Sequence, residues 1–112
     1  MATTRQNKVS RLLQKELGDI LQHEGNSMFD GKLVTVTNVR ITPDFGKARI
    51  FLSVFPSLEK EDFEKILQRK SGHLRHELGN RIRHQMRSVP ELHFILDDSL
   101  DYIDNIERLL DK

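Results

Sequence analysis

Hydrophobic residues near the start of the chain recur at the spacing of one helix face. Positions 9–21 carry apolar side chains at i, i+3 and i+4, which predicts an amphipathic helix. Thr3 or Thr4 can cap its start, because a threonine hydroxyl accepts a hydrogen bond from a free backbone N–H of the first turn. Gly25-Asn26 is typical of a helix end, so we expect the helix to stop there.

A change to β-branched residues predicts two strands after a polar loop. Leu33–Ile41 is rich in Val, Thr and Ile, and Lys47–Phe55 follows as the second strand, with aliphatic residues at alternate positions. The short connection Pro43–Gly46 predicts a hairpin, because its proline fixes φ and its glycine permits a positive φ. Alternation in the first strand breaks near Thr37-Asn38, which indicates a bulge.

The second strand has one aliphatic face and one aromatic face. We place its aliphatic residues on the core: Ala48, Ile50, Leu52 and Val54. Phe51 and Phe55 then share the other face with Arg49, and exposed rings beside an arginine are typical of a surface that stacks bases. The alternative is that a ring folds over the edge of the core. We expect this of Phe55, at the strand end, and leave both alternatives open for Phe51.

A long helical pattern follows Pro56-Ser57 and ends before Val89-Pro90. Its apolar residues define one buried face: Phe63, Ile66, Leu67, Leu74, Leu78 and Ile82. Gly72 interrupts the pattern, and a glycine inside a helix indicates a kink or a close backbone approach.

The remaining segments predict one more strand and one more helix. Residues 92–97 alternate between apolar and polar, and residues 100–110 return to helical spacing with Ser99 as a cap. The order α–β–β–α–β–α predicts a single α+β domain over residues 1–112. No stretch approaches the ~20 apolar residues of a membrane span, and the start has no apolar signal segment. We therefore expect a cytoplasmic protein.

Composition excludes several classes of protein. The 112 residues are 37% hydrophobic with a net charge of +1, which does not fit a disordered chain. The absence of cysteine excludes disulfides, a thiol nucleophile and zinc bound by cysteine.

The near-neutral net charge conceals a strong separation of charge along the chain. Residues 63–87 hold seven basic side chains against Glu64 and Glu77, whereas residues 97–112 hold six acidic ones against Arg108 and Lys112. On a helix, part of the basic segment forms one stripe: Arg69, His73, His76, Asn80, Arg83 and Arg87. Such a stripe favours a polyanion, although two solvated helix faces of different charge explain the pattern equally well.

The sequence contains no recognisable catalytic or metal-binding motif. His73-x-x-His76-Glu77 matches neither order of the zinc-protease motifs and has no evident third ligand. No P-loop is present, and Asp97-Asp98 would point to opposite faces of a strand. We therefore predict neither an enzyme nor a cofactor, and a basic helix beside a sheet indicates nucleic-acid binding instead.

Four segments together resemble the ribosome-binding factor A family. They are LVTVTNVRITPD (33–44), KARIFLSVF (47–55), GHLRHELGNRIRHQMRSVPELHF (72–94) and the ending that begins DDSL. The resemblance implies a type II KH-like fold, α-β-β-α-kink-α-β, with a three-stranded sheet backed by helices and an added C-terminal helix. It also implies a helix–kink–helix at Ser71 and Gly72 in place of the usual KH G-x-x-G loop. Lys70 stands where the family typically has a small residue, which puts the kink geometry in doubt.

The resemblance implies a role in assembly of the small (30S) ribosomal subunit. Family members bind the free or immature particle and its 16S rRNA near the neck, and support processing of the precursor 5′ region. They leave before translation with help from an assembly GTPase, and matter most in the cold. The resemblance implies no membrane, no small-molecule substrate and no metal, and nothing in the sequence indicates an obligate dimer, so we expect a monomer.

The basic segment and the resemblance together predict the residues that contact RNA phosphates. These are Arg5, Lys8, Arg11, Arg69, Lys70, His73, Arg75, His76, Arg81, Arg83 and Arg87. A second hypothesis is a protein-interaction module that docks a partner on its sheet edge or its acidic helix. The salt dependence of binding distinguishes the two hypotheses, because binding to RNA weakens steeply with salt.

Overall fold

The computed structural model describes residues 3–97 as two helices and a three-stranded sheet. The elements are α1 (Thr4–Met28), β1 (Leu33–Ile41), β2 (Lys47–Phe55), α2 (Lys60–Ile82) and β3 (Glu91–Leu96). This order confirms the predicted α+β class and the positions of all three strands. The predicted C-terminal helix falls on residues outside the described range.

The N-cap of α1 is one of the two threonines predicted from the sequence. Thr3 is the N-cap: its hydroxyl accepts from the Gln6 N–H at 3.1 Å, and its own N–H donates to Gln6 Oε1 at 2.9 Å. This reciprocal pair satisfies two backbone groups that the helix leaves free. The Gln6 amide nitrogen also donates to the carbonyl of Ile41 at 3.2 Å, which ties the helix to the end of β1.

The predicted end of α1 at Gly25-Asn26 is wrong, because the helix continues to Met28. Gly25 is buried against β1, where an added Cβ would lie 3.4 Å from Cβ of Val34. An added Cβ would make only ordinary van der Waals contact there, so Gly25 is a buried residue of the helix that faces β1 and does not end the helix. Burial of Met28 and Phe29 stabilises the extra turn, and tertiary packing of this kind overrides a local stop signal.

The hairpin forms with the predicted bulge but with a different residue at positive φ. β1 and β2 are antiparallel, and their register shifts between Val36 and Asn38. In the turn, Phe45 adopts φ of 59°, and the positive φ expected at Gly46 does not occur there. The Gly46 N–H donates to Asp44 Oδ1 at 3.0 Å, and an added Cβ would lie 3.2 Å from that oxygen, so a larger residue would require a small shift of the exposed Asp44 side chain.

The sheet has the order β1-β2-β3, with β3 parallel to β2. A parallel neighbour needs a long crossover, which α2 provides. The predicted core face of β2 is confirmed: Ala48, Ile50 and Leu52 are fully buried and Val54 nearly so. The expectation that Phe55 folds over the core edge is wrong. Its ring is 57% exposed on the opposite face of the sheet, and Phe51 on that face is half-buried.

The second helix is a single α-helix from Lys60 to Ile82. All six residues predicted for its buried face are buried. The helix does not divide at Ser71 and Gly72, and both residues lie inside it. An added Cβ at Gly72 would meet nothing within 4 Å, so the alternative of a close backbone approach there is wrong. A bend of the helix axis at this point stays a prediction.

Candidate nucleic-acid interface

The outward face of α2 carries basic side chains that make no ion pair within residues 3–97. Their spacings of four, seven and seven residues place them on the helix side opposite the buried face. We call this set the outer basic stripe: Lys65, Arg69, His76 and Arg83. All four are exposed, and Arg83 continues the helical backbone at the C-cap with φ of −57° and ψ of −25°. Among the hydrogen bonds within residues 3–97, the set makes one, between His76 Nε2 and the Asn80 amide nitrogen at 3.4 Å.

Two of the predicted RNA-binding residues instead join α2 to α1. Arg81 Nη1 donates to Asp19 Oδ2 at 2.5 Å and to Glu16 Oε2 at 3.4 Å. His73 Nε2 lies 2.9 Å from Glu24 Oε1. These contacts hold the two helices side by side in antiparallel directions, so Arg81 and His73 have a structural role in addition to any contact with a ligand.

A third predicted residue supports the segment between α2 and β3. Arg75 Nη2 donates to the carbonyl of Val89 at 3.0 Å, which fixes the chain just before Pro90 and the third strand. Lys70 and Arg87 are exposed, and their side chains make no hydrogen bond or ion pair among the described residues. The predicted set therefore contains both anchored and unpaired cations.

The basic residues of α1 form a separate group near the hairpin turn. The Arg5 guanidinium lies 5.0 Å from the centroid of the Phe45 ring, a cation–π distance. Lys8 and Arg11 are exposed, and Arg11 lines a groove of about 740 Å³ between α1 and the end of β1, which Arg40 also lines. These cations belong to the N-terminal half of the helix.

The Arg81 contact changes the acid–base behaviour of its partner. The hydrogen bond from the Arg81 guanidinium, reinforced by its charge, lowers the pKa of Asp19 below its ordinary value of 3.8. The same hydrogen bond raises the pKa of Arg81. The two helices are thus linked by a charged pair that persists through the physiological pH range.

The pair of Arg81 and Asp19 should make the stability of the wild-type protein depend on pH in one direction. A carboxyl group whose pKa is lowered in the folded state stabilises the fold at pH values above its ordinary pKa of 3.8. This stabilisation is lost as the pH falls through the folded-state pKa. We expect Asp19→Asn to lower Tm at pH 7, and the difference from wild type to shrink on acidification below 3.8. Thermal unfolding across this range measures the effect. Asp30→Asn, at an exposed loop position, is the control, and an equal pH dependence of its Tm difference would contradict the assignment.

Within residues 3–97, no group of three or more His, Asp and Glu side chains is placed to hold a metal ion. Neither helix in this range is long and apolar enough to cross a membrane. Within the same range, α2 presents an exposed stripe of basic side chains that make no ion pair, and their chemistry suits phosphate groups.

Fold and surface together define a small α+β domain of KH-like topology whose second helix presents arginines to solvent. The family model for ribosome-binding factor A matches residues 5–110. Ribosome-binding factor A of Christiangramia forsetii is 44% identical over 95% of this chain and 82% of its own. That of Flavobacterium psychrophilum is 40% identical over 98% of this chain and 85% of its own. The chain belongs to the ribosome-binding factor A family, as its sequence motifs predicted.

Solved structures confirm the fold. The crystal structure of ribosome-binding factor A from Thermus thermophilus superimposes with a TM-score of 0.66 at 24% identity, covering 81% of this chain and 94% of that one. A homology model of Thermus thermophilus ribosome-binding factor A, fitted into the cryo-EM map of a 30S–RbfA complex, superimposes with a TM-score of 0.61 at 27% identity. The match covers 78% of this chain and 89% of that one. The expected KH-like architecture is therefore confirmed.

Two groups of basic residues were missing from the sequence prediction of the site. Lys65 precedes Arg69 by four residues, so helical spacing alone could have placed it on the outer basic stripe. Arg40 is exposed on β1, and Arg49, although noted beside the aromatic face, was not assigned to the site. The position of Arg40 relative to Arg49 depends on strand register, which the sequence does not show directly.

Proposed function

We propose that this chain is a non-catalytic assembly factor that binds the small ribosomal subunit through its rRNA. One observation carries the proposal: the outer basic stripe is exposed and without ion pairs among the described residues, in a family with a member fitted into a 30S complex. Arginine suits this role because its planar guanidinium forms two parallel hydrogen bonds with a phosphate.

The predicted residues have different roles in this binding. The outer basic stripe, with Lys70 and Arg87, contacts phosphates directly. Arg5, Lys8 and Arg11 on α1 extend the contact. His73, Arg75 and Arg81 mainly hold α2 in place, because each has a partner within the fold.

The finer role follows the family resemblance. The chain binds the free or immature particle, supports processing of the precursor 5′ region, and leaves before translation with help from an assembly GTPase. It acts in the cytoplasm as a single-domain monomer over residues 1–112, and its contribution is largest in the cold.

Co-sedimentation with purified small ribosomal subunits across a salt series tests the proposal. We expect binding at low salt that weakens linearly on a log–log scale, because each phosphate contact releases counterions. Binding that is insensitive to salt would favour the protein-docking alternative. No binding to mature or immature subunits at low salt would contradict the proposed function.

A further inference from the structure

The face of the sheet that α1 and α2 leave uncovered carries a row of basic side chains. Arg40 on β1 lies directly opposite Arg49 on β2, and Arg49 lies directly opposite His93 on β3. All three residues are exposed. The row therefore crosses the whole sheet, on the side away from the core.

This row is electrostatically unfavourable for the protein alone. Like charges directly opposite each other on neighbouring strands destabilise a sheet. Neither Arg40 nor Arg49 makes an ion pair with any residue in the range 3–97. One carboxylate approaches the third member of the row, because Glu91 Oε1 lies 3.5 Å from His93 Nε2. An arrangement of this kind suits an anionic ligand.

A groove lies over the row and concentrates its charge. It has a volume of about 710 Å³ and is lined by Arg40, Lys47, Arg49 and His93 together with residues of the hairpin turn. Among the described residues, no carboxylate lines it. A concave site with one sign of charge raises the local concentration of counter-charged groups.

Aromatic and apolar side chains lie next to the cations on the same face. Phe51 is two residues along β2 from Arg49, about 7 Å away, and its cross-strand neighbour is Ile95. Farther along, Phe55 is paired with Leu33, and the two are 57% and 64% exposed. The face thus offers phosphate-binding and stacking groups at a separation comparable to that between the phosphate and the base of one nucleotide.

We propose that the open sheet face binds a single-stranded segment of RNA. Phosphates lie on the row of Arg40, Arg49 and His93, and a base stacks on Phe51. Sheet surfaces that combine aromatic rings with cations bind single strands in this way in other folds. An acidic protein would satisfy the cations but would leave the ring without a stacking partner. The site is separate from the outer basic stripe and goes beyond the proposed function.

Fluorescence anisotropy with two labelled probes tests this inference. One probe is a uridine oligomer of about 12 nucleotides, and the other has the same backbone without bases. Wild type should bind the base-bearing probe at least about fivefold more tightly, since stacking a base contributes ~1–3 kcal/mol. Phe51→Leu should abolish this preference, and Arg49→Gln should weaken binding of both probes about tenfold.

The matched control is Arg69→Gln/Arg83→Gln on the outer basic stripe. It should weaken both probes equally and keep the preference for bases. Equal binding of the two probes by wild type, or a preference that survives Phe51→Leu, would overturn the inference. Tighter binding of a poly-glutamate peptide than of the uridine oligomer would overturn it in favour of an acidic protein.

Two further measurements distinguish a loss of RNA binding at the sheet face from a loss of fold and from a loss of subunit binding. Arg49→Gln removes a like-charge pair, so its Tm should not fall, and a loss of binding is then not a loss of fold. Co-sedimentation with small subunits is measured on the same samples. If subunit binding is retained while the preference for bases is absent, only the sheet-face inference is overturned.

Discussion

Replacing Phe63 with alanine should lower the free energy of unfolding by about 3–5 kcal/mol. The Phe63 ring is 1% exposed and stacks on Phe29 with centroids 6.0 Å apart. Truncation removes its buried area and leaves a cavity between α2 and the end of α1. A loss of this size is a large share of the ~5–15 kcal/mol that typically stabilises a domain, so the variant should be close to unfolding at 37 °C.

The same substitution at Phe55 is the matched control. Phe55 is 57% exposed, and Phe55→Ala should change the free energy of unfolding by no more than about 0.5 kcal/mol. Urea unfolding followed by circular dichroism gives both values. A loss at Phe55 as large as that at Phe63 would mean that Phe55 packs on the core edge, contrary to the structure.

Replacing Arg69 and Arg83 together with glutamine should weaken binding to small ribosomal subunits by about a hundredfold or more. Each guanidinium–phosphate contact is a charge-assisted hydrogen bond, worth about 1.5 kcal/mol or more. Loss of two such contacts should also reduce the slope of log K against log salt by about 2. Neither side chain has a partner among the described residues, so Tm should stay within about 1 °C of wild type.

A double variant with the same change in charge controls for nonspecific electrostatics. Lys15→Gln/Lys60→Gln removes two exposed positive charges, one on α1 and one at the start of α2, and neither side chain makes a hydrogen bond or ion pair within residues 3–97. It should leave the salt slope nearly unchanged. Equal losses in the two double variants would show that net charge, and not the outer basic stripe, determines binding. Arg81→Ala is a poor probe of RNA contact, because it also breaks the bond to Asp19.

The sequence predicts the elements well where a local pattern decides them. The period of the apolar residues identified the buried face of α2 without error, and alternation identified the core face of β2. The capping pair of Thr3 and Gln6 is equally local. In each case neighbouring residues carry the information, because burial of one face requires a fixed spacing.

Where tertiary contacts decide the outcome, the local signal was insufficient. Gly25 looks like a stop but is a contact point with Val34, and Phe29 packs on Phe63 to stabilise the turn beyond it. Phe55 was expected to fold over the edge of the core because it lies at the end of its strand. Its place in the pleat puts it on the other face, where its cross-strand neighbour Leu33 is exposed as well.

The candidate site was predicted as a set of charges but not as a geometry. Composition along the chain correctly located exposed cations on α2. It did not separate the unpaired Arg69 and Arg83 from Arg81, whose partner Asp19 is 62 positions away. The row across the sheet was also invisible, because it depends on the register of three strands.

Ultraviolet cross-linking of the wild-type chain to immature small subunits, followed by mass spectrometry of the peptides attached to RNA, tests whether α2 contacts rRNA. We expect cross-links between rRNA and peptides of α2 and the residues just after it, including those that contain Arg69 and Arg83. Cross-links confined to ribosomal proteins, or to parts of the chain outside both α2 and the open sheet face, would contradict this expectation.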